Sequence, residues 1–354
     1  MNRSLQLHAL GVVDRARRIH HATMPLTGTA AAPDSAPALS VILATPGDFG
    51  AIRKTLEHLS AQTAHDAIEL VLVATSRAAL AADPAVLARF RHHPIVELGE
   101  FRSLGAANAA GVRAASAPVV VLAEDHCFPD PQWAEHLIRA HEGPWAAVGP
   151  GVRNANPASL VSWADLFIGY GPWLEPVDSS DRDFLPGHNT SYKRDVLLQF
   201  GDRLDDLMNV ETVLHWELRA RGHRLRLEPG ARVAHTNFSL WSSWLPVSWL
   251  NGRAFAAERR KGMSQAKRLL YVLGAPLIPF VRAARTARNA RTPELRRWFV
   301  LSLPAMLIGL GADALGQMVG YAAGAGESRG RLAHFECYRI RHVTARDRRE
   351  VFAE

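Results

Sequence analysis

Glu124, Asp125 and His126 are three adjacent residues whose side chains can hold a divalent cation. They follow residues 118–123, whose sequence PVVVLA is typical of a strand buried on both faces. Carboxylates and an imidazole at the end of such a strand bind a cation that neutralises phosphate oxygens. An isolated acidic triplet would favour a solvated turn, and its position after a buried strand is what favours the metal.

Glu211 is the candidate general base. It lies in the first turn of a helix predicted over residues 209–222, where apolar residues recur on one face. A helix N-terminus favours the ionised carboxylate, and a carboxylate on a rigid element is suited to accept a proton. The alternative is a surface glutamate that only complements the helix dipole. Asp206 is the serious competitor for the role, because it lies in a predicted loop that can bend towards a pocket.

Two further polar groups are candidates for the same site. Residues 185–191, LPGHNTS, form a polar loop that either lines a pocket or turns the chain before a helix predicted to begin near Tyr192. His235 ends a short apolar run that is typical of a strand. A single histidine is more often structural than a metal ligand, so both interpretations of His235 stay open on local grounds.

The elements that must position these groups alternate between strand and helix. Apolar runs predict strands at residues 39–44, 68–74, 95–98 and 118–123, and helical periodicity predicts helices at 48–61, 84–91, 103–115 and 130–140. This alternation predicts an α/β fold with a mostly parallel sheet. Asp130 and Pro131 would supply the N-cap and first-turn proline of the last helix. Open α/β sheets bind ligands at the carboxyl ends of strands, which is where the acidic motif falls.

Taken together, these motifs resemble the family 2 nucleotide-sugar glycosyltransferases, which have the Rossmann-like GT-A fold. The resemblance covers residues 38–237. Residues 105–111, GAANAAG, look like the family's stretch rich in Gly and Asn. Residues 121–133, VLAEDHCFPDPQW, look like its strand, acidic metal-binding motif and following Pro and Trp.

The resemblance implies a role for each candidate residue. The loop at Gly187 is similar to the family's Gly-Gly-Asn loop, and Glu211 and His235 fall where the family has its catalytic carboxylate and a histidine that can join the metal site. The implied donor-binding residues are Ala44, Thr45, Thr75, Gly105, Asn108, Glu124 and Asp125, the implied acceptor-binding residues are Gly187, His188 and Asn189, and the implied metal ligands are Glu124, His126 and His235. In this scheme Glu211 deprotonates an acceptor hydroxyl, which attacks the sugar carbon and inverts it.

Three departures from the family pattern concern the donor and the metal. Residues 44–47, ATPG, replace the usual proline and later Asn or Glu after the first strand. Residues 73–76, VATS, lack the Asp that recognises uracil. Glu124 and His126 replace the two outer Asp residues of the acidic motif. The implied cofactor is a divalent metal, Mn²⁺ or Mg²⁺, and the softer imidazole favours Mn²⁺.

The chain after residue 237 differs in charge and apolar pattern. It has 19 basic and 8 acidic residues, a net charge of +11 that leaves −4 for residues 1–237. Six arginines within residues 282–297 lie between two apolar segments, 269–281 and 298–326. The first segment is too short to cross a bilayer, and Pro304, Asp313 and several glycines make the second a poor span. We expect interfacial or re-entrant insertion, with a true span and a soluble helical cap as the alternatives.

Length and composition set the domain expectations. The 354 residues, 48% hydrophobic and 21% charged, suit about two folded domains and exclude collagen-like, disordered and fully membrane-embedded classes. We expect an N-terminal amphipathic helix and linker at 1–37, a catalytic GT-A domain at 38–237 and a basic, membrane-associated helical region at 238–354. Two cysteines and the lack of a secretory signal pattern indicate a reducing compartment. The predicted location is the cytoplasmic face of the inner membrane, on an anionic surface.

These features predict an inverting glycosyltransferase that moves a sugar from a nucleotide-sugar donor to a glycan or lipid-linked acceptor, in synthesis of a cell-surface polysaccharide or glycolipid. The alternative is a catalytically inactive GT-A domain that binds a glycan or organises an assembly complex. The altered acidic motif and the missing nucleobase Asp motivate that alternative, and substrate turnover separates the two. Nucleic acid is not an expected partner, because the basic residues alternate with apolar segments and not with aromatic stacking platforms.

Overall fold

The fold is built on a mixed sheet, seen in a computed structural model that describes residues 36–352. Its strands are β1 (Leu39–Thr45), β2 (Ile68–Ala74), β3 (Ile95–Glu97), β4 (Val119–Ala123), β5 (Cys127–Pro129), β6 (Trp145–Asn154), β7 (Ser180–Arg182), β8 (Ser191–Lys193) and β9 (Arg224–His235). The predicted N-terminal amphipathic helix, and all but the last two residues of the predicted linker, lie outside the described residues.

Helices cover the sheet and form most of the chain after β9. They are α1 (Phe49–Ser60), α2 (Arg77–Leu80), α3 (Pro84–Leu87), α4 (Leu104–Ala114), α5 (Trp133–Ala140), α6 (Leu160–Tyr170), α7 (Arg194–Leu198), α8 (Arg203–Leu207), α9 (Glu211–Ala220), α10 (Trp241–Arg259), α11 (Gln265–Gly274), α12 (Ile278–Ala287), α13 (Pro293–Ala323), α14 (Ser328–Cys337) and α15 (Ala345–Asp347). Short 3₁₀ turns lie at His65–Ala67, Gly171–Trp173, Ala275–Leu277 and Arg339–His342. A π-helical turn lies at Arg348–Phe352.

The strand order explains why the strands are continuous apolar runs in the sequence. It is β3-β2-β1-β4-β8-β6-β9-β5, with β7 paired to β9. Strands β1 to β4 pair in parallel, as do β6 and β9, while β5, β7 and β8 are antiparallel to their neighbours. Every residue of β2 is buried, as expected of a parallel strand covered on both faces. The predicted α/β fold with a mostly parallel sheet is confirmed, since the longest ladders are the parallel ones.

Two local differences from the predictions have a packing cause. The helix predicted to begin near Tyr192 begins at Arg194, because residues 191–193 form β8, whose backbone pairs with β4 on one side and β6 on the other. Asp130 does not cap α5, since its carboxylate binds the guanidinium groups of Arg153 and Arg232, the latter at 3.2 Å. Both outcomes depend on partners distant in the chain, which a local pattern does not report.

The sheet brings the ends of separate strands to one place. β1 and β4 are parallel neighbours, so Thr45 and the acidic motif leave the sheet at the same edge. His235 ends β9 and pairs with Cys127 of β5, directly after the acidic motif. Helix α4 lies very close to β1, because a Cβ on Gly111 would fall 2.4 Å from Cγ2 of Ile42.

The helices after β9 pack on one another and on α6. The rings of Trp163 in α6 and Trp298 in α13 stack with centroids 5.0 Å apart and planes 9° apart. Helices α10 and α13 approach closely, because a Cβ on Gly316 would fall 2.0 Å from the carbonyl oxygen of Trp249. This region therefore continues the packing of the catalytic part, and the domain boundary at residues 237 and 238 stays a prediction.

Two helical stretches within residues 36–352 are long and apolar enough to cross a membrane by length and composition, Gln265–Ala287 and Pro293–Ala323. The first differs from the prediction, because the apolar segment 269–281 lies within a helical run of 23 residues. Only 11% of its apolar window is buried, against 44% for the second stretch. Helices α11 and α12 thus expose apolar surface, while α13 is partly a core helix.

Candidate active site

The three predicted metal ligands lie together. The ligand atoms of Glu124, His126 and His235 are within 4.8 Å of one another, and all three residues are buried. Oε1 of Glu124 is 3.5 Å from Nε2 of His126, and Oε2 of Glu124 is 3.6 Å from Nε2 of His235. The pairing of β5 with β9 produces this arrangement, because it sets His235 opposite the residue that follows His126. Their role as ligands stays a prediction.

Hydrogen bonds on the far side of each ring determine which nitrogen faces Glu124. Nδ1 of His126 lies 2.6 Å from Oδ1 of Asp125, and Nδ1 of His235 lies 2.9 Å from Oδ1 of Asn237. The amide oxygen of Asn237 accepts, so Nδ1 of His235 carries the proton and its Nε2 keeps a lone pair, and an ionised Asp125 sets His126 in the same way. Both Nε2 atoms are buried without a hydrogen-bond partner. Two unpartnered imidazole nitrogens and a carboxyl oxygen that lie within 4.8 Å of one another form a donor set that fits a divalent metal.

Burial dominates the electrostatics of the cluster. It raises the pKa of Glu124 to about 7 and the pKa of Asp125 to about 8. It lowers the pKa of His126 and of His235 well below the ordinary value, so both imidazoles are neutral. Their contacts with Glu124 are therefore not salt bridges. A bound divalent cation would hold the carboxylate of Glu124 ionised through its own charge.

Glu211 faces the metal cluster across the polar loop. It is the first residue of α9, where the helix dipole favours a carboxylate. His188 lies between the two acidic groups, with Nδ1 3.4 Å from Oε1 of Glu124 and Nε2 3.7 Å from Oε1 of Glu211. Burial disfavours a charge on His188, but the two carboxylates outweigh it and raise its pKa. One imidazole thus separates the predicted base from the predicted metal carboxylate.

The competing carboxylate is placed differently from what the sequence indicated. Asp206 lies in the short helix α8 and not in a loop, and it is exposed. Its neighbour Asp205 pairs with Arg113 at 2.7 Å, away from the metal cluster. This geometry favours Glu211 over Asp206 as the base.

The loop that carries the predicted acceptor residues is fixed to β4. The backbone N–H of Asn189 donates to the carbonyl of Leu122 at 2.7 Å, and the φ angle of Asn189 is 58°. Asparagine tolerates this left-handed conformation better than most residues. Its side-chain amide also donates to Oε2 of Glu124 at 3.5 Å. The Thr190 hydroxyl donates to the carbonyl of Pro186 at 2.6 Å, which closes the turn.

The predicted donor-binding residues outside the acidic motif are Ala44, Thr45, Thr75, Gly105 and Asn108. Ala44 and Thr45 end β1, Thr75 follows β2, and the other two lie in α4. Oγ1 of Thr45 accepts the N–H of Gly47 at 3.1 Å, which shapes the turn after β1. The N–H of Gly105 donates to Oδ1 of Asn209 at 3.2 Å, linking α4 to the segment before Glu211. Their contacts with a donor stay a prediction.

Four residues around the cluster carry no signal in the sequence. The ring of Tyr170 lies 4.5 Å from that of His235, centroid to centroid. Asp165 accepts from the backbone N–H of residue 238 at 2.9 Å and lies 3.7 Å from a guanidinium nitrogen of Arg339. Glu336 forms an ion pair with the same arginine. These residues come from α6 and from the chain beyond residue 327, outside the motifs that define the predicted site.

The fold and the site define a glycosyltransferase of the GT-A type, in which an acidic motif after a central strand faces a carboxylate at a helix start. Residues 40–201 match the family model of glycosyl transferase family 2, so this part of the chain is similar to that family. The match includes the acidic motif and the polar loop and ends before Glu211 and His235.

Two solved structures resemble the chain weakly. The crystal structure of S. aureus TarS 1-349 in complex with UDP is 14% identical, with a TM-score of 0.43, over 78% of this chain and 90% of that chain. The crystal structure of S. aureus TarS is 13% identical, with a TM-score of 0.40, over 78% of this chain and 54% of that chain. Likeness at this level does not define a substrate. No curated protein matches the sequence.

Proposed function

We propose that the protein is an inverting glycosyltransferase that moves a sugar from a nucleotide-sugar donor to a glycan or lipid-linked acceptor. The observation that carries this proposal is the position of Glu211 across His188 from Glu124. In-line displacement at an anomeric carbon needs a base on one side of the sugar and a diphosphate site on the other. The proposed setting is synthesis of a cell-surface polysaccharide or glycolipid.

The proposed reaction consists of a proton transfer, the formation of one bond and the cleavage of another, and groups of the site assist these changes. Glu211 accepts the proton of the acceptor hydroxyl, and the oxygen forms a bond to the anomeric carbon. The bond from that carbon to the diphosphate oxygen breaks, and its electron pair leaves with the nucleoside diphosphate. Attack from the face opposite the leaving group inverts the anomeric centre. A divalent cation held by Glu124, His126 and His235 would supply charge neutralisation for the leaving diphosphate.

His188 and Asn189 position the groups that react. The imidazole of His188 separates Glu124 and Glu211, which both lie within 3.7 Å of its ring nitrogens and raise its pKa. The amide of Asn189 orients Glu124 from the same loop. The loop thus connects the acceptor side of the site to the metal side.

A second part of the proposal is attachment to an anionic membrane at its cytoplasmic face. The exposed apolar side chains of α11, α12 and the turn between them are Leu269, Leu270, Leu273, Leu277, Phe280 and Val281. Basic residues flank this apolar run on both sides, and each one near an anionic surface contributes about 1 kcal/mol. Arg282 and Arg291 also bind Asp313 and Asp178 within the protein, at 3.1 and 2.6 Å. Apolar side chains on this exposed helical run, with basic residues at its ends, support a helix that lies in the interface.

The membrane proposal is tested with substitutions and not with truncation, because α10 and α13 are part of the packed structure. A Leu270→Glu, Leu273→Glu and Phe280→Glu triple variant should no longer sediment with vesicles that contain phosphatidylglycerol. Leu160→Glu is the matched control, since Leu160 is 46% exposed on α6, outside this helical run. Sedimentation of the triple variant at the wild-type level would refute the attachment.

The activity is tested first by binding and then by turnover. Among nucleotide sugars screened with and without Mn²⁺, one should stabilise the protein by roughly 2.7 kcal/mol at 100 times its dissociation constant. Release of the nucleoside diphosphate, with a membrane extract as source of acceptor, should follow. If no nucleotide sugar stabilises the protein, the proposed function is wrong. Stabilisation without release would favour the inactive scaffold.

A further inference from the structure

The chain beyond α13 passes beside the site. Residues 328–342, comprising α14 and the 3₁₀ turn after it, are called the cover segment here. Cε1 of Tyr338 in this segment lies 3.9 Å from the position that a Cβ on Gly47 would take. Gly47 belongs to the turn after β1, at the carboxyl edge of the sheet where α/β folds bind their ligands. The cover segment therefore forms a wall on that side of the site.

Arg339 holds the cover segment in place through buried contacts. Only 4% of its side chain is exposed, and its guanidinium carbon lies 3.7 Å from the centre of the Phe238 ring. It forms ion pairs with Asp165 of α6 and with Glu336 of the cover segment. Its Nε atom is buried without a hydrogen-bond partner. A buried arginine is tolerated only when it is paired and held in place, so its orientation is defined.

The charges of the cover segment act on the acidic motif. Burial raises the pKa of both Glu124 and Asp125, and the positive charge of Arg339 opposes that rise in each case. The negative charge of Glu336 acts in the opposite sense on the same two carboxyl groups. Arg339 and Glu336 thus lie within electrostatic reach of the groups that are proposed to hold the donor and the metal.

The segment is anchored on both sides of Arg339. Before it, Arg329 forms an ion pair with Glu258 of α10. After it, Nδ1 of His342 lies 2.9 Å from the hydroxyl of Ser243, and the carbonyl of His342 accepts the N–H of Ser239 at 3.3 Å. These contacts hold the segment over the site independently of any donor.

We propose that the cover segment completes the donor site, with Tyr338 beside the nucleoside and Arg339 as the buried cation that offsets the charge of the donor diphosphate. The inference rests on the proposed function, because it assumes a nucleoside diphosphate donor. A cation is needed there, since the predicted metal ligands and Asp125 bring carboxylates next to an anionic group. Arg339 acts through charge and through its hold on the segment, which makes it a positioning residue.

The first test measures the affinity of the protein for UDP, GDP and dTDP in the presence of Mn²⁺. Arg339→Met should weaken binding of the nucleotide that binds wild type by about tenfold or more, on the scale of a charged hydrogen bond. Arg339→Lys should restore most of the affinity, because it restores the charge. Arg331→Met is the control on the same segment, since Arg331 is exposed. If Arg339→Met fails to fold, Tyr338→Ala serves instead, and it should also weaken binding.

The second test uses Cys337, which lies next to Tyr338 and reports on the segment without any substitution. It is 7% exposed and burial raises the pKa of its thiol, so it reacts with iodoacetamide only when the segment opens. A bound nucleoside diphosphate should slow its alkylation at least fivefold, measured by mass spectrometry. Cys127, 1% exposed in β5, reports global opening in the same sample.

The outcomes separate this inference from the proposed function. If none of the three nucleotides binds, this inference is wrong, while stabilisation by a nucleotide sugar with another base would keep the proposed function. If one binds, but Cys337 alkylates at the same rate or faster than in the free protein, relative to Cys127, the segment is not a wall of the site. Equal affinities of wild type and Arg339→Met would likewise overturn the role of Arg339.

Discussion

Gly187 lies against Glu211 so closely that a Cβ on Gly187 would be 2.8 Å from Oε2 of Glu211 and 3.4 Å from its Cβ. The polar loop and the start of α9 are therefore fitted to each other at the carboxylate proposed as the base. Only a residue without a side chain leaves Glu211 its present orientation, which explains why the loop has glycine at this position.

Gly187→Ala should displace the carboxylate of Glu211 and lower turnover by tenfold or more, since misplacement by about 1 Å can cost roughly 10² in rate. The melting temperature should change little, because the displaced side chain can rotate. Gly169→Ala is the control, since a Cβ on Gly169 of α6 meets nothing within 4 Å. Turnover of Gly187→Ala at the wild-type level would show that the contact does not orient the base.

Removal of a metal ligand should abolish stabilisation by Mn²⁺. The wild-type melting temperature should rise with Mn²⁺ and fall back with excess chelator, because the metal binds the folded state. His235→Ala and Glu124→Gln should each lose this response, while His92→Ala, at an exposed position, should keep it. A full Mn²⁺ response in His235→Ala would exclude His235 from the metal site.

His215 should make stability depend on pH. Its ring is buried, with Nε2 2.9 Å from the Tyr192 hydroxyl and Nδ1 accepting the N–H of Leu185 at 3.4 Å. Burial lowers its pKa from 6.5 to about 3. The unfolded chain then binds the proton first, so the free energy of unfolding is highest above about pH 6.5 and falls as the pH drops below it, by up to about 1.4 kcal/mol per pH unit.

Chemical denaturation between pH 5 and pH 8 checks this expectation. A His215→Gln variant should show a shallower loss of stability below pH 6.5 than the wild type. His141, whose pKa burial lowers to about 4, contributes a similar term that both proteins share. Parallel pH profiles would show that His215 does not titrate between the folded and unfolded states.

Gly316→Ala should destabilise the contact between α10 and α13. The new Cβ would lie 2.0 Å from the Trp249 carbonyl oxygen, so the helices must separate. Overpacking of this kind costs about 1–3 kcal/mol, measured as a lower free energy of unfolding. Gly311→Ala in the same helix is the control, because its Cβ would meet nothing within 4 Å. Equal stability of the two variants would contradict the close packing of α10 and α13.

Local patterns predicted the strands and helices where each element buries its own apolar side chains. The limits of β2 match the predicted strand, those of β1 differ by one residue at its end, and those of α4 differ by one residue at each end. The prediction failed where pairing with residues distant in the chain determines the secondary structure. Residues 191–193 became a strand because two other strands pair with them, and β9 begins at Arg224, earlier than its apolar end at residues 231–234 indicates.

The candidate site was predictable where the motif itself is local. Glu124 and His126 are two residues apart, and the resemblance to the family pointed to His235 and Glu211. The cover segment was not predictable, because its position depends on contacts of Arg339, Arg329 and His342 with α6 and α10, which are distant in the chain. In the sequence, Arg339 is not distinguishable from the other basic residues after residue 237.

The proposed mechanism depends most directly on Glu211 as the base. Glu211→Gln keeps the size and the hydrogen-bonding shape of the side chain but removes its capacity to accept a proton. Donor affinity should therefore stay within about twofold, while turnover falls by roughly 10² or more. Asp206→Asn should keep wild-type turnover, because Asp206 is exposed on α8. Near-normal turnover of Glu211→Gln beside an inactive Asp206→Asn would contradict the account, and equal loss of donor affinity and turnover in Glu211→Gln would make Glu211 a structural residue.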